Sequence, residues 1–184
     1  MDRITTGQVK QLIERDDADQ VGFQLMQFFL GNLGKVRELM LSMTTFRVVV
    51  DYALSLVDMI ALGKYNWTNE SITAKNFPMK GEGKVEKELI LIQPNRVVTS
   101  EEVIKMMADQ GLKPCAIEDL LAFGAACPAL QREFPIVCLG SVAELDGERL
   151  VPCLVRSGSG RLLHLDWFGG GWDGSCRFLA VRNV

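Results

Sequence analysis

The last part of the chain, residues 111–184, places the tightest limit on the fold, because short apolar stretches alternate there with glycine-rich turns. Runs of about four to eight β-branched or aromatic residues bounded by Gly, Asp or Ser are typical of antiparallel strands joined by tight turns. A short helix, Ile117–Phe123, comes before them, since Ile117, Leu120 and Leu121 share one face. The predicted strands are Pro135–Ser141, Leu150–Arg156, Arg161–Phe168 and Arg177–Val184. This block is therefore predicted to form a helix and a small antiparallel sheet.

Three features of this block predict where the chain turns, where a strand lies at an edge and where the helix ends. Asp146-Gly147 predicts a hairpin turn, because both residue types tolerate a positive φ. Pro152 lacks the N–H that a central strand donates, which predicts an edge strand or a bulge. Gly124 is expected to end the helix.

The middle of the chain mixes helix and strand signals. Phe46–Tyr52 and Val85–Ile92 have the composition of strands, and Ser55–Leu62 has that of a short helix ending at Gly63. Thr99 followed three residues later by Glu102 is a capping box, which predicts a helix that begins there. We therefore expect an α+β fold.

Residues 1–44 are predicted to be helical. A capping box at Thr5 and Gln8 leads into apolar positions at helical spacing, such as Leu25 and Phe28. This predicts a helical segment at 1–44 and an α+β domain at 45–184. We expect the apolar face of the segment to pack on the rest of the chain, with a protein-interaction face or an oligomer contact as the alternative; its balanced charges disfavour a membrane surface.

Composition limits the class of protein. Of 184 residues 48% are hydrophobic, enough for a core that needs neither metal nor disulfides. The net charge of −3 does not favour nucleic acid or an anionic membrane as a partner. No signal peptide or membrane span is apparent, which predicts a cytoplasmic protein. The five cysteines are an odd number without paired spacing, which favours reduced, buried thiols.

Few residues have the pattern of a catalytic site. His164 is the only histidine, and on a strand it could lie beside Cys153 or Cys176 with Asp166 to orient it, which would give a thiol-dependent enzyme. No closely spaced cysteine pair indicates zinc. The glycine-rich loop 169–174 lacks the following helix and Lys-Ser/Thr of a phosphate loop. We therefore predict no cofactor, no metal and no assigned catalytic residue, and keep the thiol enzyme as an alternative.

Aromatic residues around the last glycine-rich loop indicate a binding surface instead. Tryptophan in such a loop offers a large contact area at a low entropic cost. The leading hypothesis is a non-enzymatic module that binds a ligand or a protein. The structural alternative is that Trp167 and Trp172 cover one end of the hydrophobic core. A second, weaker candidate is Tyr65-Asn66-Trp67 with Asn69. The predicted binding residues are Trp167, Phe168, Trp172, Asp173 and Arg177.

Several short motifs lie between Val50 and the end of the chain. They include Tyr65-Asn66-Trp67, Gly111-Leu112-Lys113-Pro114, Leu130-Gln131-Arg132-Glu133-Phe134-Pro135, Leu139-Gly140-Ser141 and Arg177-Phe178-Leu179-Ala180-Val181-Arg182. With these motifs the chain resembles a family of uncharacterised bacterial proteins from uncultured small-genome lineages. The resemblance implies membership of that family and no activity. The chain departs from the family pattern at Cys115-Ala116, where the family usually has Ala-Thr, so we expect a weaker helix start by about 1 kcal/mol.

Residues 111–184 combine a helix after Pro114, a strand ending in Gly140-Ser141, and a closing strand with Phe178 and Arg182. In this order of features they are loosely similar to the end of C-type-lectin-like domains of the formylglycine-generating-enzyme kind. Such domains bind ligands through the loops before the last strand, which would be Trp167–Ser175 here. The copper-binding cysteine pair of the enzymes has no counterpart, so the resemblance implies no catalysis.

Overall fold

The computed structural model describes residues 45–182, which contain three α-helices and nine β-strands. The predicted helical segment 1–44 lies outside the described residues, so it stays a prediction, as does the domain boundary after it. The helices are α1 (Leu56–Gly63), α2 (Ser100–Ala108) and α3 (Ile117–Ala126), with a 3-10 turn at Leu130–Arg132. The strands are β1 (Thr45–Asp51), β2 (Trp67–Thr68), β3 (Lys84–Ile92), β4 (Leu112–Pro114), β5 (Ile136–Val137), β6 (Ala143–Leu145), β7 (Glu148–Ser157), β8 (Gly160–Trp167) and β9 (Arg177–Arg182).

These strands form one mixed sheet, which confirms the α+β class. Its order is β1-β3-β9-β5-β7-β8-β2, with β4 also paired to β9 and β6 to β7. The prediction of a small antiparallel sheet was wrong in extent and in direction. Strands β1 and β3 join the C-terminal strands through β9, and two pairings, β2 with β8 and β5 with β9, are parallel. Alternation of apolar residues reports which side chains are buried and does not reveal the neighbouring strand.

Helices cover both faces of this sheet. Ile90 and Ile92 of β3 lie in one core cluster with Val103 and Met107 of α2. Leu89, the residue before Ile90, points to the opposite face because side chains alternate along a strand. Phe46 pairs with Leu89 in register and meets the Phe123 ring of α3 edge-on at 5.2 Å between centroids. Helices α3 and α1 therefore pack on the second face.

The predicted helix starts are confirmed for α1 and α2. Thr99 Oγ1 accepts the Glu102 N–H at 3.2 Å, and the Glu102 carboxylate accepts the Thr99 N–H at 2.9 Å. Ser55 and Asp58 form the same arrangement at the start of α1. These reciprocal bonds satisfy main-chain donors that have no partner within the helix.

Helix α3 begins differently because Ala116 has no side-chain acceptor. The Asp119 carboxylate accepts the Ala116 N–H at 2.9 Å, and Ser141 Oγ, from the loop after β5, accepts the Ile117 N–H at 2.8 Å. A distant serine therefore supplies the hydroxyl that the Ala116 position lacks.

Two sequence predictions were wrong, one about where α3 ends and one about the place of the Pro152 strand in the sheet. A third, about a turn, was right. Helix α3 continues past Gly124 to Ala126. Pro152 is buried in β7, which lies between β5 and β8, at a position just past the end of β5; its carbonyl accepts the Cys138 N–H at 3.0 Å, but the proline has no N–H to return. Asp146 and Gly147 have φ of 51° and 81° and connect β6 to β7, as expected for a two-residue hairpin turn.

A buried arginine ties α1, α3 and β8 together. Arg161 is 5% exposed, and its guanidinium donates to the Gly63 and Gly124 carbonyl oxygens at 2.6 Å each. Both carbonyls lie in the last turn of a helix, where the main chain provides no donor. A third bond, from Nε to Gln131 Oε1, spans 3.1 Å. Burial lowers the pKa of Arg161, yet an arginine stays charged at any ordinary pH.

Candidate ligand-binding groove

The five predicted binding residues do not share one exposed surface. Trp172 is 5% exposed and lies in the core cluster with α2. Its indole Nε1 donates to Ser100 Oγ at 2.9 Å, and that hydroxyl donates to the Phe168 carbonyl at 2.6 Å. Main-chain bonds in both directions pair Trp172 with Val98. The structure thus places Trp172 where it fixes the glycine-rich loop to the start of α2, away from solvent.

Phe168, Arg177 and Asp173 also have structural contacts. Phe168 and Arg177 are buried, and the Arg177 guanidinium lies 4.6 Å from the centroid of the Phe134 ring. Asp173 is exposed, but its carboxylate accepts the Ser175 N–H at 2.7 Å within the turn. Hydrogen bonds from the Ser175 hydroxyl and main chain lower the pKa of Asp173. Asp173 therefore shapes the turn before β9.

Trp167 is the predicted residue with a large exposed side chain, at 61% exposure. It lines a groove of about 540 Å³ at the open end of the β7–β8 hairpin, where β7 starts and β8 ends. The other lining residues come from the β6–β7 turn and from the glycines after β8, and they are Gly147, Glu148, Arg149, Gly169 and Gly170.

Arg149 provides the charge of this groove. Its guanidinium carbon lies 3.9 Å from the centroid of the Phe168 ring, which is 4% exposed. The Phe168 N–H donates to the Arg149 carbonyl at 2.8 Å, so main chain and side chain hold the two residues together. Within residues 45–182, Arg149 forms no ion pair. A guanidinium stacked flat on a ring keeps its N–H edge available for an acceptor.

Sequence reasoning found Trp167 and missed Arg149 and Glu148. The tight turn between β7 and β8, around Gly158, was the available signal, because a turn sets the register of the two strands that it joins and so fixes which residues at the start of β7 lie beside the end of β8. That register pairs Leu150 with Trp167. The stacking of Arg149 on Phe168 then follows from their being opposite one another.

The cysteine and histidine of the alternative enzyme hypothesis are neighbours. Cys153 pairs directly with His164 across β7 and β8, and the His164 ring packs at a tilt against Trp67 with centroids 5.6 Å apart. However, Cys153 is 2% exposed, and burial strongly raises the pKa of its thiol. Burial also raises the pKa of Cys176 to about 11. Both thiols are therefore protonated, and weak nucleophiles, at neutral pH.

The second candidate, around Tyr65, divides in the same way. The Tyr65 hydroxyl is buried without a hydrogen-bond partner among the described residues, and burial raises its pKa to about 12. Asn66 exchanges bonds of 2.8 Å with the Arg161 main chain. Trp67, at 44% exposure, is the aromatic residue of this set that is exposed to a partner, next to the exposed Asn66.

Residues 45–182 contain no group of three or more His, Cys, Asp or Glu side chains placed to hold a metal ion. None of the three helices there is long and apolar enough to cross a membrane.

Comparison of the chain with protein-family models, with curated proteins and with solved structures gives no match.

Proposed function

We propose that this protein is a non-enzymatic binding module and that its contact site is the groove between the β6–β7 turn and the end of β8. One observation carries the proposal: the Arg149 guanidinium is stacked on the buried Phe168 ring, unpaired within the described residues, beside the exposed Trp167. An exposed tryptophan next to a pre-oriented arginine is the combination that dominates many binding sites.

The chemistry of the groove favours a ligand with one anionic group beside a flat apolar group. If the anionic group is a carboxylate, it would accept two N–H bonds from the Arg149 guanidinium, and the flat apolar group of the ligand would lie on the Trp167 ring. Glu148 lines the same groove, and the chain as a whole carries a charge of −3. Both charges oppose a polyanion, so a single carboxylate, such as that of a peptide C-terminus or an acidic side chain, fits better than nucleic acid.

The test is a titration of the whole protein with N-acetyl-phenylalanine and with its amide, followed by NMR chemical shifts. We expect the carboxylate to bind about tenfold more tightly than the amide, which corresponds to ~1.4 kcal/mol. Arg149→Gln should remove that preference, and Trp167→Ala should weaken both probes.

Trp67→Ala is the matched control, because Trp67 is an exposed tryptophan outside the groove. Binding should be unchanged in this variant. Equal binding of acid and amide by the wild-type protein, or a loss in Trp67→Ala as large as that in Trp167→Ala, would refute the proposal.

The resemblance to C-type-lectin-like domains and the interaction role of residues 1–44 remain parts of this proposal. In such domains the loops before the last strand bind ligands, and Trp167–Ser175 precedes β9 here. Residues 1–44 as an oligomerisation segment would be tested by truncating the chain before Thr45 and measuring its mass in solution. A cytoplasmic location and a bacterial source are likewise expectations from the sequence.

A further inference from the structure

A second pocket, of about 200 Å³, lies at the start of α3 and is separate from the Trp167 groove. Its lining is mixed in charge and polarity: Glu118 and Lys80 carry charges, and Asn76 and Ser141 are neutral and polar. At ~30 Å³ per water molecule, this volume holds about six waters. That is room for a molecule of a few non-hydrogen atoms. The rest of the lining is Phe77, Pro78, Ala116, Gly140 and Val142.

Glu118 is a buried acid without a counter-charge. It is 4% exposed and forms no ion pair with any residue between 45 and 182. Lys87, a cation close enough to affect it, is bound to Asp119 at 2.6 Å. Burial raises the pKa of Glu118, and the neighbouring Asp119 raises it further, whereas nearby main-chain N–H groups and Lys87 lower it. A buried carboxylate in this situation gains most from a cation brought by a ligand.

Lys80 contributes the opposite charge to the same pocket. Lys80 is exposed, and its ammonium group forms no ion pair with Glu118 or with another acid of residues 45–182. Two opposite charges therefore line one small pocket without meeting each other. A ligand that carries both charges can bridge them.

We propose that this pocket binds a small zwitterionic amino acid, with its ammonium on Glu118 and its carboxylate on Lys80. Ser141 fits this arrangement, since its Oγ accepts the Ile117 N–H at 2.8 Å and its hydroxyl hydrogen remains free to donate. The Asn76 side chain donates to the Ser71 carbonyl at 2.9 Å, which leaves its amide oxygen as an acceptor for the ligand's ammonium. The volume fits an amino acid with a short side chain. This site is independent of the groove proposed above.

The experiment is calorimetric titration of the whole protein with glycine, alanine and phenylalanine, and with methylamine and acetate as half-probes. Glycine and alanine should bind at least about tenfold more tightly than methylamine or acetate, and phenylalanine should bind more weakly than alanine. Lys80→Met should weaken alanine binding about tenfold without unfolding the protein, because Lys80 is exposed. Lys105→Met, which replaces an exposed lysine on α2, is the matched control and should bind as the wild type does.

Glu118→Gln removes the other charge and should also abolish alanine binding. Since this residue is buried, its fold is checked by circular dichroism, and Lys80→Met decides the question if Glu118→Gln does not fold. The proposal is overturned if no amino acid binds at 10 mM, a concentration of roughly ten times a weak millimolar Kd. It is equally overturned if acetate binds as tightly as alanine or if Lys80→Met leaves the affinity unchanged.

Discussion

Arg161 should be the most sensitive single position of residues 45–182, because three acceptors from separate elements depend on it. Replacing Arg161 with Met removes three charge-assisted bonds of about 1.5–3 kcal/mol each. Relief from burying a charge offsets part of this loss, so we expect a net loss of about 4 kcal/mol. Domains are stable by only about 5–15 kcal/mol, so the loss is severe.

Urea unfolding followed by tryptophan fluorescence measures this loss. All three tryptophans, Trp67, Trp167 and Trp172, lie in the described region, so the signal reports on it alone. A loss of about 4 kcal/mol lowers the midpoint by about 2 M at a typical urea m-value of ~2 kcal/mol/M. Arg161→Lys should lose about half as much, because a lysine ammonium is a point donor and cannot reach both helix ends.

Arg156→Lys is the control for this prediction. Arg156 pairs with Arg161 in register across β7 and β8, but it is exposed. Its replacement should change the free energy of unfolding by less than about 0.5 kcal/mol. If Arg161→Met stayed within that same range, the assignment of Arg161 as the link between α1, α3 and β8 would be wrong.

Four further predictions follow from the described contacts. Ser141→Ala should destabilise the protein by about 1 kcal/mol in the same urea assay, since it removes the acceptor for the first N–H of α3. Trp172→Phe should lose at least about 1 kcal/mol through its missing bond to Ser100, whereas Trp167→Ala should leave the Tm nearly unchanged. In native protein alkylated with iodoacetamide and read by mass spectrometry, Cys127 should react first, because the other four thiols are buried. The free energy of unfolding of Glu118→Gln should increase relative to that of the wild type as the pH rises from 4 to 7. Burial raises the pKa of Glu118 in the folded protein, so the unfolded chain releases this proton at a lower pH than the folded protein does. The wild type therefore loses stability as the pH rises from the unfolded pKa to the folded pKa, and the glutamine variant does not.

The outcomes that contradict these expectations are equally specific. An unchanged midpoint in Ser141→Ala would mean that the α3 start relies on Asp119 alone. A large Tm loss in Trp167→Ala would make that residue part of the core. Rapid alkylation of Cys153 would revive the thiol-enzyme hypothesis, and a stability difference independent of pH in Glu118→Gln would place its carboxyl in solvent.

Local patterns predicted most of the elements between residues 45 and 182. The capping box at Thr99 and Glu102 was correct because its bonds connect neighbours along the chain. The Asp146-Gly147 turn was correct for the same reason, since φ at two residues decides it. The groove was only partly predictable. Trp167 was identified by its type, whereas Arg149 became visible only when the hairpin register placed it over Phe168.

Burial is what sequence reasoning misjudged. Trp172 and Trp167 flank the same glycines, and nothing in their immediate surroundings separates a core tryptophan from an exposed one. Ser100, 72 positions before Trp172, makes the difference by accepting its indole N–H. Similarly, the sequence around Arg161 predicts a charged surface residue at the start of a strand. Its burial depends on the Gly63 and Gly124 carbonyl oxygens, which lie at the ends of two helices distant in the chain and accept hydrogen bonds from its guanidinium.

By itself, then, the amino-acid sequence determined the α+β class, the helix starts at Ser55 and Thr99, and the tight turn at Asp146-Gly147. Each depends on φ/ψ preferences and hydrogen bonds within a few residues. Only the tertiary structure decided the mixed nine-stranded sheet, the burial of Trp172 and Arg161, and the two pockets. These features arise where segments distant in the chain meet, and the free energy that selects among such meetings comes from burying the whole apolar surface together, which no local pattern encodes.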